Sequence, residues 1–236
     1  MCCTKPPQTI PFKQVTQYQV YCELIRSTYI DHHSKHKWEN RFPNCDISWD
    51  DVWLFVNNPL SREDTKTAIW EQLHLNDYTT YSYNKWHKAQ QVCPLCLQLP
   101  NNKFHITLEC PVTISLWHEL THHLLKIHPE PISEEEMVFG LSGSKPGIKL
   151  RNWLTSLLRE YIVRQESIAY HNKKGRQNEV DIKLSYNAAV KAEVWEKYNI
   201  LQHLGRTEYF KKMYAINNYL ITWVDEQWQI LTLYST

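Results

Sequence analysis

Within 18 consecutive positions this chain places Cys93, Cys96, His105 and Cys110, a C-x2-C-x8-H-x4-C spacing. No other feature of the sequence restricts the fold as strongly. Zinc takes four nitrogen or sulfur ligands in a tetrahedron, and a C-x-x-C turn sets two thiolates on one side of the ion. The eight-residue excursion that follows carries Pro100 and two asparagines, enough chain for His105 and Cys110 to close the other side. The plainer alternative is a pair of buried core cysteines beside an unrelated histidine. Four ligand-type side chains this close together favour the metal. Zinc (Zn2+) is the expected cofactor, with these four residues as its ligands.

Composition sets the surroundings of such a site. At 236 residues and 42% hydrophobic the chain has material for one or two packed domains. Its 10 Trp and 14 Tyr bring large apolar bodies to a core. Lys and Arg number 26 against 25 Asp and Glu, which excludes a massively basic nucleic-acid coat but allows local patches. With only 5 Gly, phosphate-cradling glycine loops and turn-dense β architectures are disfavoured. The opening Met1-Cys2-Cys3-Thr4-Lys5-Pro6-Pro7 has no apolar signal region, and no stretch is of membrane-spanning length. Seven cysteines, an odd number, then read as thiols and metal ligands rather than disulfides. The expectation is a soluble, intracellular protein, cytoplasmic or nuclear, not secreted and without a membrane partner.

Apolar periodicity predicts a mostly α protein: a helical lead-in, the small zinc knuckle, then a C-terminal helical bundle. Residues 1–45 read as a poorly structured N-terminal extension, with Asp31–Lys37 a solvated basic loop. Residues 46–130 form the zinc-binding domain, 131–147 a linker, and 148–236 a three-helix region. Ser61 is the expected cap of a helix carrying Ile69, Trp70 and Leu73, and a second helix runs through Tyr81–Lys88. After the cysteines, Ile114, Trp117, Leu120, Leu124 and Ile127 fall at helical spacing, so one helix is expected over Val112–Ile127. Ser133-Glu134-Glu135-Glu136 is a capping box. The last three helices carry the stripes Leu150/Leu154/Leu157/Leu158/Tyr161/Ile168, Leu184/Ala188/Trp195/Tyr198/Leu201 closed by Gly205, and Phe210/Met213/Tyr214/Leu220/Val224/Trp228.

The stretch Trp49–Trp117 resembles the zinc-binding region that follows the polymerase in non-LTR (LINE-type) retrotransposon reverse transcriptases. That family shows a Trp-rich lead-in, a helix with an aromatic anchor, CPLC, an HLF-like segment, a cysteine, and a Trp some seven residues on. Here these are Trp49 and Trp53, Ile69-Trp70, Cys93-Pro94-Leu95-Cys96, His105-Ile106-Thr107-Leu108-Glu109-Cys110-Pro111, and Leu116-Trp117. One departure stands out: Asn101 and Asn102 occupy positions where the family usually has an acidic residue and Thr. The resemblance implies a module that helps hold template RNA or target DNA, with a reverse transcriptase core as protein partner. It supplies no polymerase centre, because no YxDD box is present and Ser48-Trp49-Asp50-Asp51 reads as a helix cap.

His118-Glu119-Leu120-Thr121-His122 is a literal H-E-x-x-H, the zinc-protease signature when carried on a helix. His128 follows ten residues after His118, but Leu125 stands where a helix-breaking Gly would be needed to bring it back. A metalloprotease is therefore the weaker alternative, and the chain reads as a non-enzyme. For a nucleic-acid partner, RNA or single-stranded DNA, the candidate contacts are Lys85, Trp86 and Lys88 beside the knuckle and the basic loop Lys173, Lys174 and Arg176. Arg206, Lys211 and Lys212 read as cations at a helix start, a further hint of an anionic partner. The other reading of the whole is a co-opted fragment that serves as a protein-interaction domain.

Overall fold

A computed structural model of the chain describes residues 33–74, 92–98, 102, 104–172, 179–224 and 227–230. The chain divides into two units, Met1–Asp46 and Ile47–Thr236. The described residues are mostly α-helical, with one two-stranded sheet. No helix among them is long and apolar enough to cross a membrane.

In the first unit, His33–Arg41 is a helix (α1), not the solvated loop expected from its basic run. Trp38 and the following Phe42 are buried and stack at 6.2 Å, and Lys35 pairs with Glu39 one turn on. These i,i+4 contacts stabilise a helix that the charge run conceals. The extension 1–45 is thus structured over this segment; the expected element at Val20–Tyr29 lies outside the described residues.

The second unit opens with α2 (Trp49–Val56), whose cap is Ser48: its Oγ accepts from the Asp51 N–H, and Asp50 and Asp51 fill the first turn. Helix α3 (Glu63–His74) follows after a turn organised by Asn58. The Asn58 side chain accepts from the Leu60 N–H at 3.0 Å and donates to the Lys149 carbonyl at 2.8 Å. Ser61 is not the cap of α3: the first helical bond runs from the Lys66 N–H to the Arg62 carbonyl, and the Ser61 hydroxyl is buried in the turn. Ile69 and Leu73 go to the core, whereas Trp70 stays 44% exposed, edge-on to Trp53 at 5.6 Å.

Next come a π turn at His105–Glu109 and α4 (Pro111–Leu124). Helix α4 ends three residues before the expected Ile127, tightening through bonds from the Lys126 N–H to His123 and the Ile127 N–H to Leu124. Helix α5 (Glu134–Phe139) is capped by Ser133, whose Oγ accepts from the Glu136 N–H at 3.1 Å. Gly140 ends it at φ 74°, where a side chain would run into the Phe55 ring. The segment expected as a linker therefore carries a helix whose Val138 is fully buried.

Helix α6 (Pro146–Asn172) is the axis of the unit. All ten residues from Leu150 to Arg159 are buried or nearly so. Its apolar side (Leu150, Trp153, Leu154, Leu157, Leu158) is the predicted stripe with Trp153 added, each such side chain contributing roughly 2 kcal/mol by leaving water. Its polar side is buried too: Arg151, Asn152 and Arg159 are each matched, whereas the Thr155 and Ser156 hydroxyls are buried without a hydrogen-bond partner among the described residues. Arg151 forks onto Glu136 at 2.5 and 2.6 Å and reaches the Glu130 carbonyl. Asn152 bonds both backbone groups of Leu141, and Arg159 donates to Gln72 and to the Val138 carbonyl. Burial lowers the Arg159 pKa to about 9.

Helix α7 (Glu179–His203) lays Ile182, Tyr186, Val190 and Val194 against α6, with the Tyr186 hydroxyl donating to the Leu154 carbonyl at 2.9 Å. This corrects the expected stripe: Leu184, Ala188 and Trp195 face outward. The helix carries apolar residues on two sides, and the side bearing Ile182, Tyr186, Val190 and Val194 is the one that is buried. Gly205 closes it at φ 67°.

The expected third long helix is also corrected. Helix α8 (Thr207–Tyr214) buries Phe210, Met213 and Tyr214 and then stops. Asn217 and Asn218 both take positive φ, 50° and 52°, which turns the chain out of the helix. Strands β1 (Ile221–Val224) and β2 (Gln227–Ile230) pair antiparallel, Ile221 opposite Ile230. The alternation of β-branched and aromatic residues there suits a strand better than a helix. The core then runs without interruption from Leu60 through the cysteines to Ile221.

Candidate metal centre

The first half of the site is the loop Val92–Gln98. The Cys93 N–H donates to the Gln98 carbonyl and the Leu97 N–H to the Cys93 carbonyl, both at 2.8 Å. This tight turn points Cys93 and Cys96 the same way and requires Leu97 to adopt φ 63°, in the left-handed region. Leu95 anchors the loop in the core, while Leu97 remains 59% exposed.

The second half comes from the π turn and the start of α4. Asn102 caps the turn, its Oδ1 accepting from the His105 N–H at 2.8 Å. The asparagine that departs from the family pattern thus serves as a local cap itself. A wide i→i+5 bond, Cys110 N–H to His105 carbonyl at 2.6 Å, brings residues 105 and 110 together. Cys110 is also the residue from which α4 starts, with Pro111 at the first helical position, where no N–H is needed. The Cys110 carbonyl accepts from the Thr113 and Ile114 N–H groups and the Thr113 hydroxyl.

These halves bring Cys93, Cys96, His105 and Cys110 together, their ligand atoms all within 4.8 Å of one another. Cys93 Sγ lies 4.0 Å from Cys110 Sγ, and Cys96 Sγ lies 3.2 Å from His105 Nε2. A tetrahedron with metal–sulfur bonds near 2.3 Å and metal–nitrogen bonds near 2.0 Å has edges of about 3.5–3.8 Å. The observed separations bracket that range, and 4.0 Å is far too long for a disulfide, whose S–S bond is about 2.05 Å. The cluster could hold a metal ion. Cys93 and Cys110 are fully buried, His105 nearly so, and Cys96 forms the partly exposed edge.

The electrostatics favour cation capture. A hydrogen bond from the Cys93 thiol holds the Cys110 sulfur as a thiolate, its pKa lowered to about 5, and the N–H groups of Thr113 and Val112 at the helix start add to the lowering. The same bond, with burial, pushes Cys93 upward, and burial raises Cys96. A divalent cation bound here would neutralise the thiolate charge and displace the remaining thiol protons.

Trp117, in the second turn of α4, ties that helix to the π turn. It is 2% exposed and donates from Nε1 to the Thr107 carbonyl at 2.7 Å.

Other sequence-predicted residues fare differently. Lys85, Trp86 and Lys88, and Lys173, Lys174 and Arg176, lie outside the described residues, as does the helix expected over Tyr81–Lys88. Lys211 and Lys212 occupy the last turn of α8 rather than its start, where the dipole favours them, and Lys211 pairs with Glu208. The hint of an anionic partner drawn from these lysines is thereby removed.

The H-E-x-x-H segment lies on α4 with His118 and His122 exposed. Glu119 is engaged by Lys183, and His128 accepts from the Glu130 N–H beyond the helix end. Among the described residues, only the cysteine–histidine cluster gathers three or more metal-ligating groups. The sequence reading missed Asn102, Thr107 and Leu97 as parts of the centre. Asn three residues before the histidine was the available sign of a cap; the roles of Thr107 and Leu97 lie in backbone geometry, which side-chain types do not reveal.

Comparison with known proteins gives no match: no family model fits the sequence, and no curated protein or solved structure is significantly similar to it.

Proposed function

We propose that this chain is a non-catalytic, zinc-stabilised module that binds RNA or single-stranded DNA, of the type found at the C-terminal end of non-LTR reverse transcriptases. The observation that carries the zinc is the closed set of three cysteines and one histidine around a single point. Soft thiolates with an imidazole in a tetrahedral arrangement suit zinc among divalent metals. Four protein ligands leave no coordination position for substrate or reactive water, which supports a structural role. The ion would bind the knuckle loop, the π turn and the start of α4 into one piece.

The nucleic-acid reading is supported by the sequence resemblance over Trp49–Trp117 and by Lys85, Trp86 and Lys88 just before the first ligand. A stacking ring flanked by cations suits unpaired bases. The exposed rings of Trp53 and Trp70 add further stacking surface in the same lead-in. Near-neutral net charge sets modest affinity, because the phosphate term dominates such binding. Fluorescence anisotropy of a labelled single-stranded RNA at two salt concentrations tests this. Binding should weaken steeply with salt, and replacing Lys85 and Lys88 by Glu should shallow the slope.

A second reading, a protein-interaction domain, is favoured by one observation. Val180, Leu184 and Trp195 are each more than two-fifths exposed along one side of α7. If folded, zinc-loaded protein binds no RNA even at low salt, this second reading replaces the first.

A further inference from the structure

The cysteine cluster does not use the histidines of α4, and their placement supports a separate site. His118 and His122 stand one turn apart on the exposed side of a regular helix, where side chains at i and i+4 are neighbours about 5–6 Å apart at Cβ. A shallow hollow on this surface is lined by His118, Glu119, His122 and His123. By helical periodicity His118, His122 and Glu119 fall within an arc of about 100°.

Glu119 makes the hollow chemically unusual. One carboxylate oxygen faces Lys183, while the other, Oε2, is buried without a hydrogen-bond partner. A buried carboxylate oxygen left unmatched costs free energy that a cation would recover. Two imidazoles on adjacent turns beside such an oxygen provide donors of the kind that late first-row divalent ions take.

We propose that His118 and His122 form a second, exchangeable site for a late first-row divalent cation such as zinc, with Glu119 as its anionic neighbour. The site is open, offering two imidazoles rather than a closed cage, so it fills at higher metal concentration than the cysteine cluster and empties on gel filtration. It is a binding site and not a hydrolytic centre, because Lys183 engages the carboxylate that would have to act as base. The proposal stands independently of what the cysteine cluster holds.

Isothermal titration of gel-filtered, full-length protein with zinc is the test. One further equivalent should bind, and His118→Ala or His122→Ala should each weaken it by roughly tenfold or more, since loss of a ligand costs at least as much as loss of its supporting contacts. Both side chains are exposed, so the variants should keep the parent circular dichroism. A variant with His32, His33 and His36 all replaced by Ala should retain the binding in full. No further equivalent, or one that survives in both single variants, would overturn the proposal. Loss of that equivalent in the triple variant would do the same, by assigning it to the N-terminal histidines.

Discussion

The indole Nε1–H of Trp117 donates to the carbonyl of Thr107 across 2.7 Å, with both groups buried. Through this bond the helix that begins at one candidate metal ligand, Cys110, grips the π turn that begins at another, His105. One contact thus joins the two elements that carry the second half of the cluster.

Replacing Trp117 by Phe keeps most of the apolar volume but leaves the Thr107 carbonyl buried without its donor. Stability should fall by about 1–3 kcal/mol. Loss of zinc to a chelator should quicken, because the turn holding His105 loosens. Thermal unfolding and a chelator competition, run side by side, measure both effects.

Much of this centre is legible in the sequence. Ligand types and spacing mark the cluster, and the Leu116-Trp117 pair falls at helical spacing from Leu120 and Leu124. The rest is hidden for identifiable reasons. Arg151, Asn152 and Arg159 would ordinarily mark a solvent face, yet each is buried against a specific partner that only tertiary structure provides. Helix α7 carries two apolar sides, so periodicity alone could not select Ile182, Tyr186, Val190 and Val194 over Leu184 and Trp195. The hairpin at 221–230 was concealed by a helical count that ran through Asn217 and Asn218. Helix α1 was concealed by its basic charge.

Leu97 holds a left-handed backbone conformation with its side chain mostly in solvent. Leu97→Gly should relieve that strain at the expense of chain entropy, for a net gain of roughly 1 kcal/mol in the metal-loaded protein. Leu97→Ala should give no comparable gain, since alanine meets the same clash. Urea unfolding of the two variants distinguishes strain relief from loss of an exposed side chain.

The buried Arg151–Glu136 pair joins α6 to α5. Glu136→Ala would leave a guanidinium at 1% exposure without its carboxylate. Destabilisation by about 3–5 kcal/mol is expected, compared with under 1 kcal/mol for an exposed pair such as Lys211–Glu208. Urea midpoints of the two single variants, Glu136→Ala and Glu208→Ala, test the contrast.

Glu193 accepts from the Trp153 indole at 3.3 Å, and burial raises its pKa to about 7. The folded protein therefore binds a proton on this group that the unfolded chain, with its ordinary carboxyl near 4.5, releases. Between those two values stability should decline as pH rises, since the folded state carries the extra proton. Glu193→Gln keeps an acceptor for Trp153 without the charge. It should be more stable than the parent above pH 7, by on the order of 2 kcal/mol, and should lack this decline. Thermal midpoints of both proteins across the pH range provide the check.

Cys93, Cys96, His105 and Cys110 should together hold one zinc tightly, which metal analysis of gel-filtered protein measures. The parent should carry one zinc per chain, and Cys96→Ser should lose it together with the ordered structure around the knuckle, because binding and local folding are one event. His118→Ala should retain the full equivalent after the same treatment. A full equivalent of zinc in Cys96→Ser, or none in the folded parent, would contradict the assignment.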